Sequence, residues 1–396
     1  MPHRRLLFAL ALIGVLQEVG VRAVFPLPEI VDFDRLRYSP LAQAAPDELP
    51  TSLGHASFSW ASDPDGFEFV HRLNLYGFRD GEWRLRAAPG RTRVAFVGDS
   101  FVEGLSADVE SAIPAVFRRV AGERGRSVET LNLGIAGAGL EVYARLVRDA
   151  VPLFRPDSVV LVLYANDLVP IRFDPGWLDA PLDPERRSPW QPRILPVLRQ
   201  LRSGGRVPRR WIAPPFSYIA AVPDPRNPWS QERSARRLAA FVTPSIAEAM
   251  RRGRFNPALA SWFPWAPNAL GRTVDLTPHV SALAAWTKRF GSELLVVYLP
   301  LKNQASDRYL AFQADYSPPG SVRSLLGEEF QRHAALLAAT CRGLGVPFLD
   351  LTPVLRKGES AGPSLYWSYD DHLRPRGYRV AGERIFSWWV DAVARP

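Results

Sequence analysis

Val94-Ala95-Phe96-Val97-Gly98-Asp99-Ser100-Phe101-Val102-Glu103-Gly104 reads as an apolar strand that breaks at a glycine and runs on towards a helix. The run 93–97 is followed by stretches of strand character at 128–133, 159–164, 294–299 and 346–351. Between and after them lie helical patterns. Ile113, Val116, Phe117 and Val120 recur at helical spacing, as do apolar residues in 140–153, 328–344 and 377–393. Strands that alternate with helices predict a parallel sheet covered on both faces. Five such strands suit a three-layer α/β/α, flavodoxin-like arrangement.

The alternation is interrupted between the third and fourth strands. Residues 168–275 hold 17 of the 37 prolines and 6 of the 12 tryptophans. Proline at that density is a poor match to regular core elements, so the segment is expected to be an inserted cap, lid or small subdomain with some helix over 231–252. Trp177, Trp190, Trp211, Trp229, Trp262 and Trp265 form either a wall for sugars or acyl chains or, more plainly, the packing of the insertion onto the core.

Composition narrows the function classes. The chain has 396 residues and is 47% hydrophobic and 11% aromatic, enough for a sizeable core and unlike a disordered chain. Its one cysteine, Cys341, excludes a disulfide framework within the chain and any cysteine-cluster metal site, and its apolar helical setting reads as a buried structural thiol. Of the 49 basic residues only Lys288, Lys302 and Lys357 are lysines, and the arginines are scattered, so the net charge of +9 is not the patterned stripe of a nucleic-acid binder. An anionic surface or polysaccharide stays open as a partner. His3, Arg4 and Arg5 precede the apolar run 6–16, which reads as an export signal, either cleaved or kept as a membrane anchor, over 1–23. Residues 24–90 are expected to pack on the core as an N-terminal extension, and 91–396 to form the main domain. The expected location is outside the cytoplasm, periplasmic or membrane-anchored.

The chemistry-bearing residues fall at the carboxyl ends of the predicted strands, where open α/β sheets build their sites. Ser100 follows the first strand; a serine there is also a common helix cap. Asn132-Leu133-Gly134-Ile135-Ala136-Gly137-Ala138-Gly139 ends the second strand in a glycine-rich turn whose backbone N–H groups can approach a ligand. Asn166-Asp167 follows the third strand with a side-chain amide. Asp370-Asp371-His372 precedes the last helix and supplies an imidazole beside carboxylates. A hydroxyl, two kinds of oxyanion donor and a carboxylate-oriented base are what acyl transfer needs.

These segments resemble the blocks of the SGNH (GDSL-type) esterases and lipases, in that family's order and spread over 93–393. Gly98-Asp99-Ser100 with Gly104 looks like the first block, Gly137 like the oxyanion glycine, Asn166-Asp167 like the third block and Asp370 with His372 like the last. The resemblance implies a flavodoxin-like fold, no metal or other cofactor, and hydrolysis or transfer of ester-linked acyl groups. Its triad would be Ser100, His372 and Asp370, and its oxyanion donors Ser100, Gly137 and Asn166. Asn74, Gly77, Phe78, Arg79 and Asp80 also look like a segment found upstream of the first block in some exported branches. Two positions depart from the pattern. Tyr164 stands where the third block usually has glycine, and Tyr369 where the last usually has its acid. Asp370 and His372 instead give D-x-H, a spacing similar to that of polysaccharide O-acetyltransferases. In an extended loop residues two apart face one side, which favours Asp370; a turn there would favour Asp371. Asp99 and Asp167 are expected to support their turns.

Three readings follow. The first is a serine esterase acting on a carbohydrate or cell-envelope ester. The second is an O-acyltransferase with the same triad. The third is a catalytically silent glycan-binding domain. A nucleotide site at Gly134–Gly139 is disfavoured, because the spacing is G-x-x-G-x-G and no acidic residue closes the next strand. His55, His71, His279 and His333 lack metal-ligand spacing. Oligomeric state has no signal in the sequence.

Overall fold

A computed structural model describes residues 2–24, 57–60, 68–71, 74, 78–136, 138–168, 194–195, 198, 202, 242–251, 275–315, 332–368 and 370–393. Strands β1 (Ser57–Trp60) and β2 (Glu68–His71) form an antiparallel pair. The main sheet contains β3 (Thr92–Gly98), β4 (Val128–Gly134), β5 (Ser158–Tyr164), β6 (Glu293–Leu299) and β7 (Phe348–Asp350). Its order is β4-β3-β5-β6-β7, and every neighbouring pair is parallel. This is the doubly wound order in which the first strand lies inside the sheet and the chain reverses direction beside it.

Helices cover both faces, as parallel strands joined by right-handed crossovers require. The helices are α1 (Pro2–Val24), α2 (Ser100–Glu103), α3 (Ile113–Glu123), α4 (Leu140–Arg145), α5 (Val151–Phe154), α6 (Pro244–Arg251), α7 (Thr277–Arg289), α8 (Lys302–Ala305), α9 (Leu310–Gln313), α10 (His333–Gly343), α11 (Thr352–Ser360) and α12 (Pro375–Val393). Helices α3 and α12 pack on each other, and the turn before α5 packs with α7, which in turn meets α10. Phe117 on α3 stands edge-on to Phe96 of β3 and to Phe386 and Trp389 of α12, with centroids 5.2–5.3 Å apart. Val94–Val97 and Val159–Val162 are essentially inaccessible, which is why those strands show no alternation.

Several elements differ from the sequence expectation. The helix expected over 140–153 is broken into α4, a π turn at Leu146–Ala150, and α5. Pro152 has no N–H and its ring would collide with the Arg148 carbonyl in a regular helix; the wider turn relieves both. The strand expected at 346–351 is only β7, because Pro347 has no N–H to give; its carbonyl still accepts from Val296 at 3.0 Å. Helices α7 and α11 were not singled out by the pattern. Of the helix expected at 328–344, α10 is described and 328–331 lie outside the described residues. Most of the insertion at 168–275, with its six tryptophans, also lies outside them; α6 is the helix described there, with Ile246 buried. Cys341 is fully buried in α10, and burial pushes its thiol up to about 12.

Residues 78–93 are tied to the core. Arg93, fully buried at the start of β3, donates to the carbonyls of Arg84, Leu85 and Phe154 and pairs with Glu129. Asn132 donates its side-chain amide to the Arg79 carbonyl and its backbone N–H to Asp80. On α1, Leu6, Phe8, Leu12, Ile13, Val15, Leu16 and Val19 are all exposed. Among the described residues no helix is long and apolar enough to cross a membrane.

Gly134 at the end of β4 is where the sheet meets α2. A Cβ there would sit 2.1 Å from the Glu103 backbone nitrogen, which cannot move without displacing the helix. Gly134→Ala is therefore expected to lower stability by ~2 kcal/mol or more, whereas Gly122→Ala, with open space around it on α3, should raise it by ~0.5–1 kcal/mol. Chemical denaturation of the two variants checks the contrast.

Candidate active site

Helix α2 is a single turn wedged beyond the end of β3. Asp99 caps it, its Oδ1 accepting from the Phe101 N–H at 2.9 Å. Gly104 closes it in the left-handed region at φ 82°, its N–H bonding to the Ser100 carbonyl. Ser100 is thus the first helical residue, with its N–H among those that have no acceptor inside the helix.

The loop before α12 folds back over this turn. Leu373 bridges to Tyr366, and the Trp367 N–H donates to the His372 carbonyl at 3.0 Å. The result is a hydrogen-bonded chain of side chains. Ser100 Oγ lies 2.7 Å from His372 Nε2, and His372 Nδ1 lies 2.5 Å from Asp370 Oδ1. The same Asp370 oxygen accepts from the His372 backbone N–H at 2.9 Å, so the chain bends at 370–372 rather than running extended. The loop is not extended here, so Asp370 and His372 do not meet by facing one side of an extended chain. Asp370 reaches the imidazole because an aspartate readily bonds the backbone two residues on. Asp371 points elsewhere, to the buried Lys302 Nζ at 3.2 Å, which also donates to the carbonyls of Ser368 and Asp370. Tyr369 lies outside the described residues.

Burial raises the cost of charge on Asp370, but the His372 charge and hydrogen bonds from His372 and Ser106 outweigh it and hold the carboxyl at about 2. Burial works against a charged His372 too; Asp370, with Asp99 and Asp371, more than offsets this and leaves the imidazole above its ordinary value. Phe101 supports the ring at 4.9 Å and is itself backed by Tyr164 at 4.3 Å. The side chain that replaces the expected glycine is therefore a buried wall behind the imidazole.

Of the expected oxyanion donors, Gly137 lies outside the described residues. Its neighbours are held firmly. The Ala136 N–H donates to Glu103 Oε2 at 2.6 Å, and the Ile135 N–H to the Gly98 carbonyl at 3.1 Å. Asn166 sits in the 3-10 turn Ala165–Leu168 beyond β5, and its Oδ1 is buried with no hydrogen-bond partner among the described residues. Sequence reasoning missed Glu103, Ser106 and Lys302. Nothing in their local pattern marks them, since their partners lie on other strands' loops. Among the described residues no group of His, Cys, Asp and Glu is placed to hold a metal ion.

Two further carboxyls, Asp99 and Asp167, are buried. Burial lifts Asp99 to about 6 against the Phe101 hydrogen bond and the His372 charge, which pull the other way, while burial and then Asp99 lift Asp167 well above the carboxylate range. Asp167 Oδ2 accepts from the Tyr164 N–H, and its Oδ1 lies 3.0 Å from the Tyr143 hydroxyl, which is also 3.1 Å from the Ala138 carbonyl. One phenolic proton serves one of those acceptors well; a proton on Asp167 supplies the other, and the burial argues for the same state. A carboxyl whose pKa is raised by folding adds stability at low pH and loses it as pH rises through the folded value. Asp167→Asn, which keeps a donor at that position without a charge, is expected to remove this alkaline loss. Melting temperatures of both proteins from pH 5 to 9 check it: the gap should widen upward in favour of Asp167→Asn, and parallel curves contradict the protonated state.

No family model and no curated protein sequence matches the chain. Solved structures of similar chain path include a putative lipolytic protein of the G-D-S-L family from Desulfitobacterium hafniense DCB-2, at 13% identity, covering 75% of this chain and 99% of that one with a TM-score of 0.35. The psychrotrophic esterase EstA from Pseudoalteromonas sp. is similar at 8% identity, over 76% and 98% of the two chains, with a TM-score of 0.37. A Clostridium thermocellum family 3 carbohydrate esterase is similar at 12% identity, over 76% and 97%, also with a TM-score of 0.37. These are proteins that the chain is similar to.

Proposed function

We propose that this chain is a serine esterase of the SGNH type that cleaves ester-linked acyl groups. The observation that carries the reading is the line Ser100 Oγ–His372 Nε2–His372 Nδ1–Asp370 Oδ1, with separations of 2.7 and 2.5 Å. A hydroxyl that only capped a helix would have no need of an imidazole at that distance, nor the imidazole of a buried carboxylate behind it.

The chemistry follows from the positions. His372 Nε2 takes the Ser100 proton as Oγ bonds to the ester carbonyl carbon. Asp370 keeps the proton of Nδ1 facing it and stabilises the imidazolium. The Ser100 N–H, the Gly137 N–H and the Asn166 amide would receive the oxyanion. Collapse of the tetrahedral intermediate breaks the bond to the alcohol oxygen, which takes the proton from His372 and leaves. Water then attacks the acyl-serine, its proton passing to His372, and the carboxylic acid departs as Ser100 regains a proton.

The substrate we propose is an acyl ester on a carbohydrate of the cell envelope, outside the cytoplasm. The charged and apolar leader over 1–23, the D-x-H spacing and the tryptophan-rich segment 168–275 support it. The exposed apolar side chains of α1 fit a segment that meets lipid or is removed on export.

Ser100→Ala should abolish hydrolysis of a model acetyl ester and labelling by a fluorophosphonate probe, with an unchanged melting temperature. Persistent turnover refutes the reading. Asp370→Asn should cost ~10⁴-fold in kcat and Asp371→Asn far less. Since only the neutral imidazole accepts the proton, kcat/KM of the wild type should rise with pH through a value above the ordinary imidazole pKa. Incubation with acetylated and unacetylated oligosaccharides separates release to water from transfer to a sugar hydroxyl.

A further inference from the structure

The chain of side chains does not stop at Asp370. The second carboxylate oxygen, Oδ2, accepts from Ser106 Oγ at 2.7 Å. Ser106 lies in the turn immediately after α2, so the line that leaves this short segment at Ser100 returns to it at Ser106. The catalytic loop is thereby clamped at both ends by one stretch of backbone.

That turn is built to stay in place. Ser106 is buried and holds φ at 62°, in the left-handed region where glycine would be at ease and a serine is strained. Its carbonyl accepts from Trp367 Nε1 at 3.1 Å, and the preceding Leu105 carbonyl accepts from the Tyr378 hydroxyl at 2.7 Å. The buried Arg79 guanidinium donates to the carbonyls of Gly104 and Ala107 on either side. Donors from three separate segments thus fix a backbone that glycine would suit better. What serine adds there is the hydroxyl, and that hydroxyl faces the Asp370 carboxylate.

We propose that Ser106 is a positioning residue for the esterase reaction, holding the Asp370 carboxylate so that Oδ1 stays in line with His372 Nδ1. This rests on the serine-esterase reading above. A buried carboxylate with one oxygen left without a donor is free to turn about its bond to Cβ, and its undiminished charge pulls harder on the imidazolium.

The test uses the full chain with Ser106→Gly and Ser106→Ala. Glycine deletes the hydroxyl and suits the left-handed backbone; alanine deletes it and keeps the strain. Both variants should lose roughly 10- to 100-fold in kcat with KM within twofold of wild type, as for loss of one hydrogen bond to a charged group. The acidic limb of kcat/KM should move to higher pH, and Ser106→Gly should melt above Ser106→Ala, since it loses the same hydrogen bond without the left-handed strain. A merely structural serine would leave that limb in place. Variants within threefold of wild type in kcat, or an acidic limb that fails to rise, overturn the proposal while a labelled, active wild type leaves the esterase reading standing. Absence of fluorophosphonate labelling at Ser100 in the wild type overturns both.

Discussion

Strand β3 is buried on both faces and paired along both edges, and the rest of the site depends on that constraint. Its register sets Gly98 beside Gly134 on one side and Val97 beside Leu161 on the other. Once those hydrogen bonds are made, the turn that follows has nowhere else to go. Asp99 caps it, Gly134 lets the helix backbone lie against β4, and Ser100 emerges beyond the sheet edge. A parallel sheet presents the ends of all its strands at one edge, so the loops after β3, β4 and β5 are neighbours there by geometry.

The polar groups at that edge are buried, and a buried polar group is costly unless it has a partner. This explains why so many of the links there cross from one segment to another. Glu103 holds the loop after β4, Lys302 holds Asp371 and the carbonyls before it, and Arg79 holds the turn after α2. Removing one member of such a set leaves another uncompensated, so the links specify a single arrangement more than they add to net stability. The arrangement also separates two adjacent aspartates by role. Asp370 is held at about 2 beside an imidazole, while Asp371 is paired with an ammonium group.

The sheet was legible because its evidence is local. Apolar runs such as 159–164 and the helical spacing of Ile113, Val116, Phe117 and Val120 need no knowledge of partners. Boundaries shifted where proline intervened, at Pro152 and Pro347, because the consequence of a missing N–H depends on what the neighbouring strand or turn requires. The residues Ser100, Asn166, Asp370 and His372 stood out because a hydroxyl, an amide, a carboxylate and an imidazole, placed after predicted strands and before the last helix, are the groups that acyl transfer needs. Ser106, Glu103 and Lys302 did not, although they sit within or beside the same segments. A serine in a turn, a glutamate in a helix and a lysine after a strand are unremarkable until their partners are known.

The choice between Asp370 and Asp371 shows the division most clearly. From spacing alone an extended loop pointed to one and a turn to the other; the loop turns, and Asp370 is nevertheless the one that bonds His372, through both the ring and the backbone. The sequence by itself determined an alternating α/β chain, which strands carry polar residues at their ends, and the one cysteine's inability to bridge within the chain, since these follow from periodicity and counting. Only the tertiary structure decided that His372 Nε2 faces Ser100, which lysine neutralises the spare carboxylate, and that one short turn grips the loop at both ends. Such pairings are set by distances between segments far apart along the chain, and no local pattern encodes them.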